Sequence, residues 1–320
     1  MPESCIECRV PIRFYEPGRL FISNEKNWSF VDFQTVQEAE KKLQFVQEKQ
    51  KGTLFGGIGR PGDEAPLRTA PIGEVADWFS HQEVIRVIER GQFVSFLQPI
   101  VEAETGHIYG YESLLRTSEE ASIPPGRLFD TAQRLGMHSY LDKQARESAI
   151  VARKKYIQEG QKSFINFLPS TIYNPEFCLQ HTFRMIEKYN VDPTDLVFEV
   201  VETERIEDVE HLKKVLNVYK REGIKVALDD VGAGFSTIEM LEKLNPDYIK
   251  IDRSYISFCD QDKEKQAFIE RALKTALNLG IKTLAEGIER QEEYEYCKSA
   301  GITLAQGYYF GKPSAKPVAV

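Results

Sequence analysis

Histidine and cysteine are scarce in this sequence, and long apolar runs are missing altogether. No window of the 320 residues approaches the about 18 uncharged apolar positions of a membrane-spanning helix. The opening MPESCIECRV has neither the basic stretch nor the apolar run of a secretory signal. Cys5, Cys8, Cys178, Cys259 and Cys297 are odd in number and, apart from the first two, widely scattered. They make no disulfide framework, so the expected compartment is a reducing cytoplasm. His81, His107, His138, His181 and His211 show no ligand spacing. Charge of one sign is never concentrated: residues 1–80 carry 10 Lys/Arg against 12 Asp/Glu, and the whole chain has a net charge of -8. A surface that grips duplex nucleic acid is thereby excluded. With 11% aromatics the chain is not a disordered one, and no repeat of solenoid period is visible.

What is there is alternation. From about residue 93, short β-branched or apolar runs alternate with amphipathic stretches. The expected strands are 93–101, 108–116, 162–168, 196–202, 225–231, 248–252, 282–287 and 304–310. The expected helices are 127–158, 175–189, 208–221, 236–244, 262–279 and 290–299, with one more at 81–91 leading in. Several close on a glycine, as at Gly223, Gly280 and Gly301. Eight strands with helices between most of them predict a TIM-like (β/α)8 barrel over residues 81–320. Only Glu102 to His107 separate the first two strands. That is too short for a crossover helix, so they form a hairpin and one of them runs antiparallel.

Residues 1–80 read as a small α+β region: strand-like RVPIRFY, RLFIS and WSFVDF, then one helix near 35–50. The following KGTLFGGIGRPGDEAPLRTAP is dense in Gly and Pro and reads as a linker or long loop. Its GIGRPG satisfies a dinucleotide-binding pattern by letter, through Gly57, Gly59 and Gly62. Pro61 and the lack of a following apolar helix leave it a linker. Cys5 and Cys8 form a lone CxxC. Three readings stay open: spare thiols, a redox pair, or half of a zinc site completed by a second subunit; a protein partner of the N-terminal region is a separate expectation.

Chemistry gathers where the strands end. Glu112, Asn166, Glu199, Glu202, Asp229, Asp230, Lys250, Asp252, Glu286 and Gln306 all fall on the eight strand candidates or at their ends. Active sites of such barrels form at the C-terminal ends of the strands. One carboxylate there can be a structural ion pair, but five or six around one mouth repel each other unless cations hold them. An all-oxygen set selects Mg²⁺ or Mn²⁺ and not zinc. More acids than one ion needs points to two ions, a device of phosphoryl chemistry. A buried lysine on a barrel strand also admits a Schiff-base reading, but acidic neighbours would keep Lys250 protonated and poorly nucleophilic.

These residues sit in a series of motifs: QPIV at Gln98, Glu112-Ser113-Leu114-Leu115-Arg116, INFLP with Asn166, and FEVVET with Glu199 and Glu202. DDVGAGFS from Asp229, IKID with Lys250, AEGIE with Glu286 and Glu289, and QGYYFGKP with Gln306 complete it. In this order and spacing they resemble the EAL-domain phosphodiesterases of bacterial signalling, which open cyclic di-GMP to linear pGpG. The resemblance runs from Gln98 to Pro313. It implies Glu112, Asn166, Glu199 and Asp229 as ligands of one cation, with Asp229 shared and Asp230 on a second. Glu286 is implied as ligand or general base, and Lys250 as the group that holds and polarises the attacking water. Gln98, Leu115, Arg116 and Gln306 are implied on the substrate side, and a homodimer through the barrel is implied too. Ser113, Val231 and Phe235 depart from the usual Ala, Phe and Tyr. None of these removes a charge. Glu202 resembles a glutamate that braces the loop Val231 to Thr237. It stands an odd number of residues beyond Glu199, so a regular strand turns it to the other face, toward Ser236 or Thr237. The bland alternative is an exposed acid. The rival reading of the whole chain is a cyclic di-GMP receptor or protein-binding module without catalysis.

Overall fold

The computed structural model describes residues 11–24, 27–49, 53–119, 121–200, 208–232 and 238–317. Cys5, Cys8, Glu202, Ser236 and Thr237 lie outside them. The chain divides into two compact units, one of residues 1–93 and 117–144, the other of residues 94–116 and 145–320.

The first unit holds a four-stranded sheet in the order β2-β1-β3-β4, from β1 (Gly18–Ser23), β2 (Trp28–Phe33), β3 (Phe55–Gly59) and β4 (Ala70–Pro71). All its pairings are antiparallel. Its helices are α1 (Val36–Lys49), α2 (Ile72–Ser80), α3 (Gln82–Arg90) and α4 (Pro125–Arg134). The glycine-rich stretch is not the expected linker: β3 runs through it and pairs along the length of β1. The glycines are there for proximity, not for looseness. A Cβ on Gly57 would lie 2.6 Å from Pro66 Cβ, and one on Gly56 would lie 2.8 Å from Ile72 Cδ1. Main chain and neighbours therefore pack against both faces of β3 at a distance only glycine permits. The helix α2 was not expected either. It buries Val75, Trp78 and Phe79, which share one helical face.

The second unit closes the predicted barrel. Its strands are β5 (Phe93–Glu102), β6 (Ile108–Thr117), β7 (Lys162–Phe167), β8 (Leu196–Val200), β9 (Lys225–Val231), β10 (Tyr248–Ile251), β11 (Lys282–Ala285) and β12 (Leu304–Gln306). They close in the order β10-β11-β12-β5-β6-β7-β8-β9. The strand β5 is the antiparallel one, pairing with β12 from Ile100↔Gln306 to Glu102↔Leu304. The hairpin with β6 is closed by Glu102 N donating to His107 O at 2.9 Å. Between the strands lie α5 (His138–Tyr156), α6 (Pro175–Cys178), α7 (Gln180–Lys188), α8 (Val209–Arg221), α9 (Ile238–Leu244), α10 (Arg253–Ile256), α11 (Lys263–Leu279) and α12 (Gln291–Ala300). The expected single helix 127–158 is broken into α4 and α5. Gly136, at φ +62°, turns the chain out of α4, and Met137 N donates to Ala132 O at 2.7 Å. The expected helix 175–189 likewise splits at Leu179.

Two apolar layers hold the barrel. Outside, the helices pack on the strands through Phe167, Phe198, Tyr219, Ile251 and Ile269, among others. Inside, Ile100, Phe164, Val197, Ala227, Tyr248, Leu284 and Leu304 fill the lumen.

Candidate active site

The lumen layer locates the site by simple parity. Side chains alternate along a strand, so the residue two places on faces the same way, one layer higher. Two places beyond Phe164, Val197, Ala227, Tyr248, Leu284 and Leu304 stand Asn166, Glu199, Asp229, Lys250, Glu286 and Gln306. An apolar layer is thus capped, strand by strand, by a polar one at the C-terminal mouth. Because β5 runs the other way, its mouthward step leads from Ile100 back to Gln98.

Lys250 is the centre of this layer and is 1% exposed. Its Nζ lies 2.6 Å from Glu286, 3.0 Å from Asp229, 3.1 Å from Glu199 and 3.6 Å from Glu112. Two amides complete the ring: Asn166 Nδ2 donates to Glu112 Oε1 at 3.1 Å, and Gln306 Nε2 donates to Glu112 Oε2 at 2.7 Å. Burial alone would lower the Lys250 pKa, but Asp229, Glu112, Glu199 and Glu286 lift it well above its ordinary value. Four carboxylates within 3.6 Å favour the charged amine, which counts against the Schiff-base reading. Burial works against the Glu112 carboxylate too, yet Lys250, Gln306 and Asn166 outweigh it and hold that group below the usual range. Burial and the surrounding negative charges push Glu199 and Glu286 well above it.

Asp229 and Asp230 are adjacent, so a regular strand would point them to opposite faces. The strand is not regular there. Leu228 pairs with Ile249 and Val231 with Ile251, so β9 spends three residues where β10 spends two. Asp230 stands at φ +51° within this bulge. Such a left-handed aspartate costs about 1–3 kcal/mol, and bulges are a known means of re-aiming side chains beside active sites. The result is that Asp229, Asp230 and Glu286 bring carboxylate oxygens within 4.8 Å of one another.

The ring fits divalent cations. Four carboxylates share one ammonium, and Glu199, 0% exposed, has only that shared Lys250 Nζ, 3.1 Å from its Oε1, while its Oε2 receives no hydrogen bond from a described residue. A buried carboxylate left so is costly unless a cation or a proton meets it. The donors are oxygens throughout, which suits a hard ion.

The other expected residues lie apart from this ring in their hydrogen bonds. Gln98 Nε2 donates to Gly311 O at 3.3 Å. Arg116 follows Leu115 near the end of β6, donates to Leu115 O at 2.8 Å, and holds its guanidinium 5.7 Å from the centre of the Phe96 ring. Glu202 is outside the described residues, and so is most of the loop it was expected to brace. The bulge was invisible in the sequence, although two consecutive acids at a strand end are the signal that could have raised it.

Residues 81–313 match the EAL domain family, nearly three quarters of the chain. The chain belongs to that family. The probable cyclic di-GMP phosphodiesterase PdeG of Escherichia coli is 35% identical over 243 residues, 72% of this chain and 47% of that protein. The cyclic di-GMP phosphodiesterase RocR of Pseudomonas aeruginosa is 27% identical over 244 residues, 75% of this chain and 62% of that protein. The chain thus spans less than two thirds of either relative. A standalone EAL protein of Vibrio cholerae, solved in its c-di-GMP-bound form, superposes with a TM-score of 0.65 at 34% identity. That superposition covers 71% of this chain and 95% of the Vibrio protein. Glu112, Asn166, Glu199, Asp229, Lys250, Glu286 and Gln306, singled out by motif order in the sequence, are the residues of the ring described above.

Proposed function

We propose that the chain hydrolyses cyclic di-GMP to linear pGpG, using two divalent cations, Mg²⁺ or Mn²⁺. The observation that carries this is the ring of four acids about the single cation Lys250, with Glu199 buried and its Oε2 unmet by any hydrogen bond from a described residue. Glu112, Asn166, Glu199 and Asp229 would hold one ion, and Asp229, Asp230 and Glu286 the other. Such ions acidify water and offset charge on phosphoryl oxygens.

The chain's own groups do the rest. Lys250, fixed by its four carboxylates, holds a charged donor toward the attacking water and the phosphoryl oxygens, as pre-organised charge should. Glu286 is the most exposed carboxylate of the ring, with 16% of its side chain accessible. As an alternative to holding the cation, this accessible carboxylate suits a general base. In that role it takes the proton of the attacking water as the water oxygen bonds to phosphorus and the bond from phosphorus to the 3′ oxygen breaks, and the 3′ oxygen takes a proton from solvent to leave as a hydroxyl. Arg116 offers a guanidinium for the phosphate that is not cut, while Gln98, Leu115 and Gln306 line the substrate side. Glu202 braces the loop after Asp230. We assign residues 1–80 as a regulatory or interaction region, the enzyme as a homodimer through the barrel, and the bacterial cytoplasm as its place. The family match beginning at residue 81 supports the first of these assignments, and the scattered cysteines support the last.

The test is incubation of the purified full chain with cyclic di-GMP and Mg²⁺ or Mn²⁺, with and without EDTA, followed by chromatography. Conversion to pGpG that EDTA stops is expected. Binding of the dinucleotide without turnover under either metal would make the chain a receptor instead.

A further inference from the structure

The bulge that joins Asp229 to Asp230 is strained, and Gly232, two residues beyond Asp230, shows what stands behind it. Gly232 follows β9 at φ +110°, a conformation side chains rarely adopt. A Cβ there would lie 2.5 Å from Tyr255 Cε2 and 2.6 Å from Phe268 Cζ. Two aromatic rings therefore bear directly on the main chain of Gly232. The rings themselves are stacked, with centroids 3.8 Å apart and planes 21° from parallel. Tyr255 sits on α10, which starts two residues after β10, the strand that carries Lys250. Phe268 is 9% exposed on α11. A further tie holds the same turn from the β10 side, where Asp252 N donates to Val231 O at 3.4 Å.

A left-handed aspartate persists only where its surroundings over-determine it. The geometry points to Tyr255 and Phe268 as positioning residues for the Asp229–Asp230 pair: their stacked rings are a backstop that keeps the bulge in its cation-holding shape. The ring edges act through Gly232 and not by contact with substrate or cation. The hydroxyl of Tyr255 has no part in this, because it is a ring carbon that meets the glycine. This inference rests on the two-cation reading of the mouth.

The test is Mn²⁺ binding to the full, metal-stripped chain, followed by the electron paramagnetic resonance signal of the free ion, with no substrate present. Wild type should take up two ions. Tyr255→Ala should weaken the second by about 10- to 100-fold, the usual cost of losing a group that orients a ligand, and raised Mn²⁺ should restore turnover in step with occupancy. Tyr255→Phe should bind as wild type. Ile269→Ala, a core change one residue along α11, serves as the control for general softening: its melting temperature should fall and its Mn²⁺ affinity should not. The backstop is wrong if Tyr255→Ala binds both ions as tightly as wild type, or if Ile269→Ala loses affinity to the same degree. A wild-type chain that takes up no Mn²⁺ would instead overturn the two-cation reading, and the backstop with it.

Discussion

The two ends of the barrel treat charge in opposite ways. At the floor, where the parallel strands begin, acids are matched by donors. Asp195 meets Arg153 at 2.6 Å, Gly160 N at 2.9 Å and Lys162 at 3.1 Å. Asp247 meets Lys225 at 2.9 Å and Val226 N at 3.1 Å. Tyr109 and Tyr248 share a hydroxyl hydrogen bond of 2.7 Å, and Lys282 donates to Tyr109 at 3.2 Å. At the mouth, the carboxylates facing Lys250 outnumber it, and an extra one is brought in by a strained turn. The floor is arranged for stability of the chain alone, and the mouth for something the chain does not itself contain. Stability and function therefore reside at different ends of the same strands.

That division can be broken by three substitutions. The largest effect should come from the mouth: Asp229→Asn should cut turnover by about 10²- to 10³-fold, the scale of losing one pre-organised charge. Its melting temperature without added cation should hold or rise, because a like charge leaves a crowd of them. A melting temperature that fell would place structural work at the mouth and blur the contrast. Next is the floor variant Asp195→Asn, which strands the buried Arg153 and should cost about 3–5 kcal/mol of unfolding free energy at neutral pH. Turnover per folded molecule should be unchanged. Burial alone would raise the Asp195 pKa, but the Gly160 N–H, Lys162 and Arg153 together hold it below the usual carboxylate range. Its contribution is thus complete above the unfolded value of about 3.9 and is lost as pH falls from there through the lower folded value. The gap between wild type and variant in denaturant titrations should narrow below about pH 4; a gap that stayed constant would assign the cost to packing. The smallest effect should be Tyr248→Phe, which removes one neutral hydrogen bond worth about 1 kcal/mol. A change in turnover there would show that the floor is coupled to the mouth.

Much of this was legible because the barrel repeats one device. Each strand is a short apolar run with a polar residue near its end, and the hairpin after Glu102 was forced by chain length alone. The ring of Glu112, Asn166, Glu199, Asp229, Lys250, Glu286 and Gln306 could be read from strand ends and motif order. What could not be read depended on contacts across the fold. Glycine density around Gly57 reads as a loop until Pro66 is seen packed against it. The break at Gly136 was hidden in a stretch whose apolar spacing continues across it. The bulge at Asp230 depends on the register between β9 and β10, which no single strand encodes. Motif order placed Gln98 and Arg116 on the right strands, but side-chain hydrogen bonds to Gly311 and Leu115 are facts of tertiary structure.

One reversed strand also settles where the barrel's chain sets out. In an all-parallel barrel the first strand rises from the floor, and anything joined upstream is attached at the end devoted to stability. Here β5 descends, from Val94 at the mouth to Glu102 at the floor, against a β12 that ends at Gln306. The polypeptide thus threads into the barrel beside the carboxylate ring, with Gln98 only a few residues along.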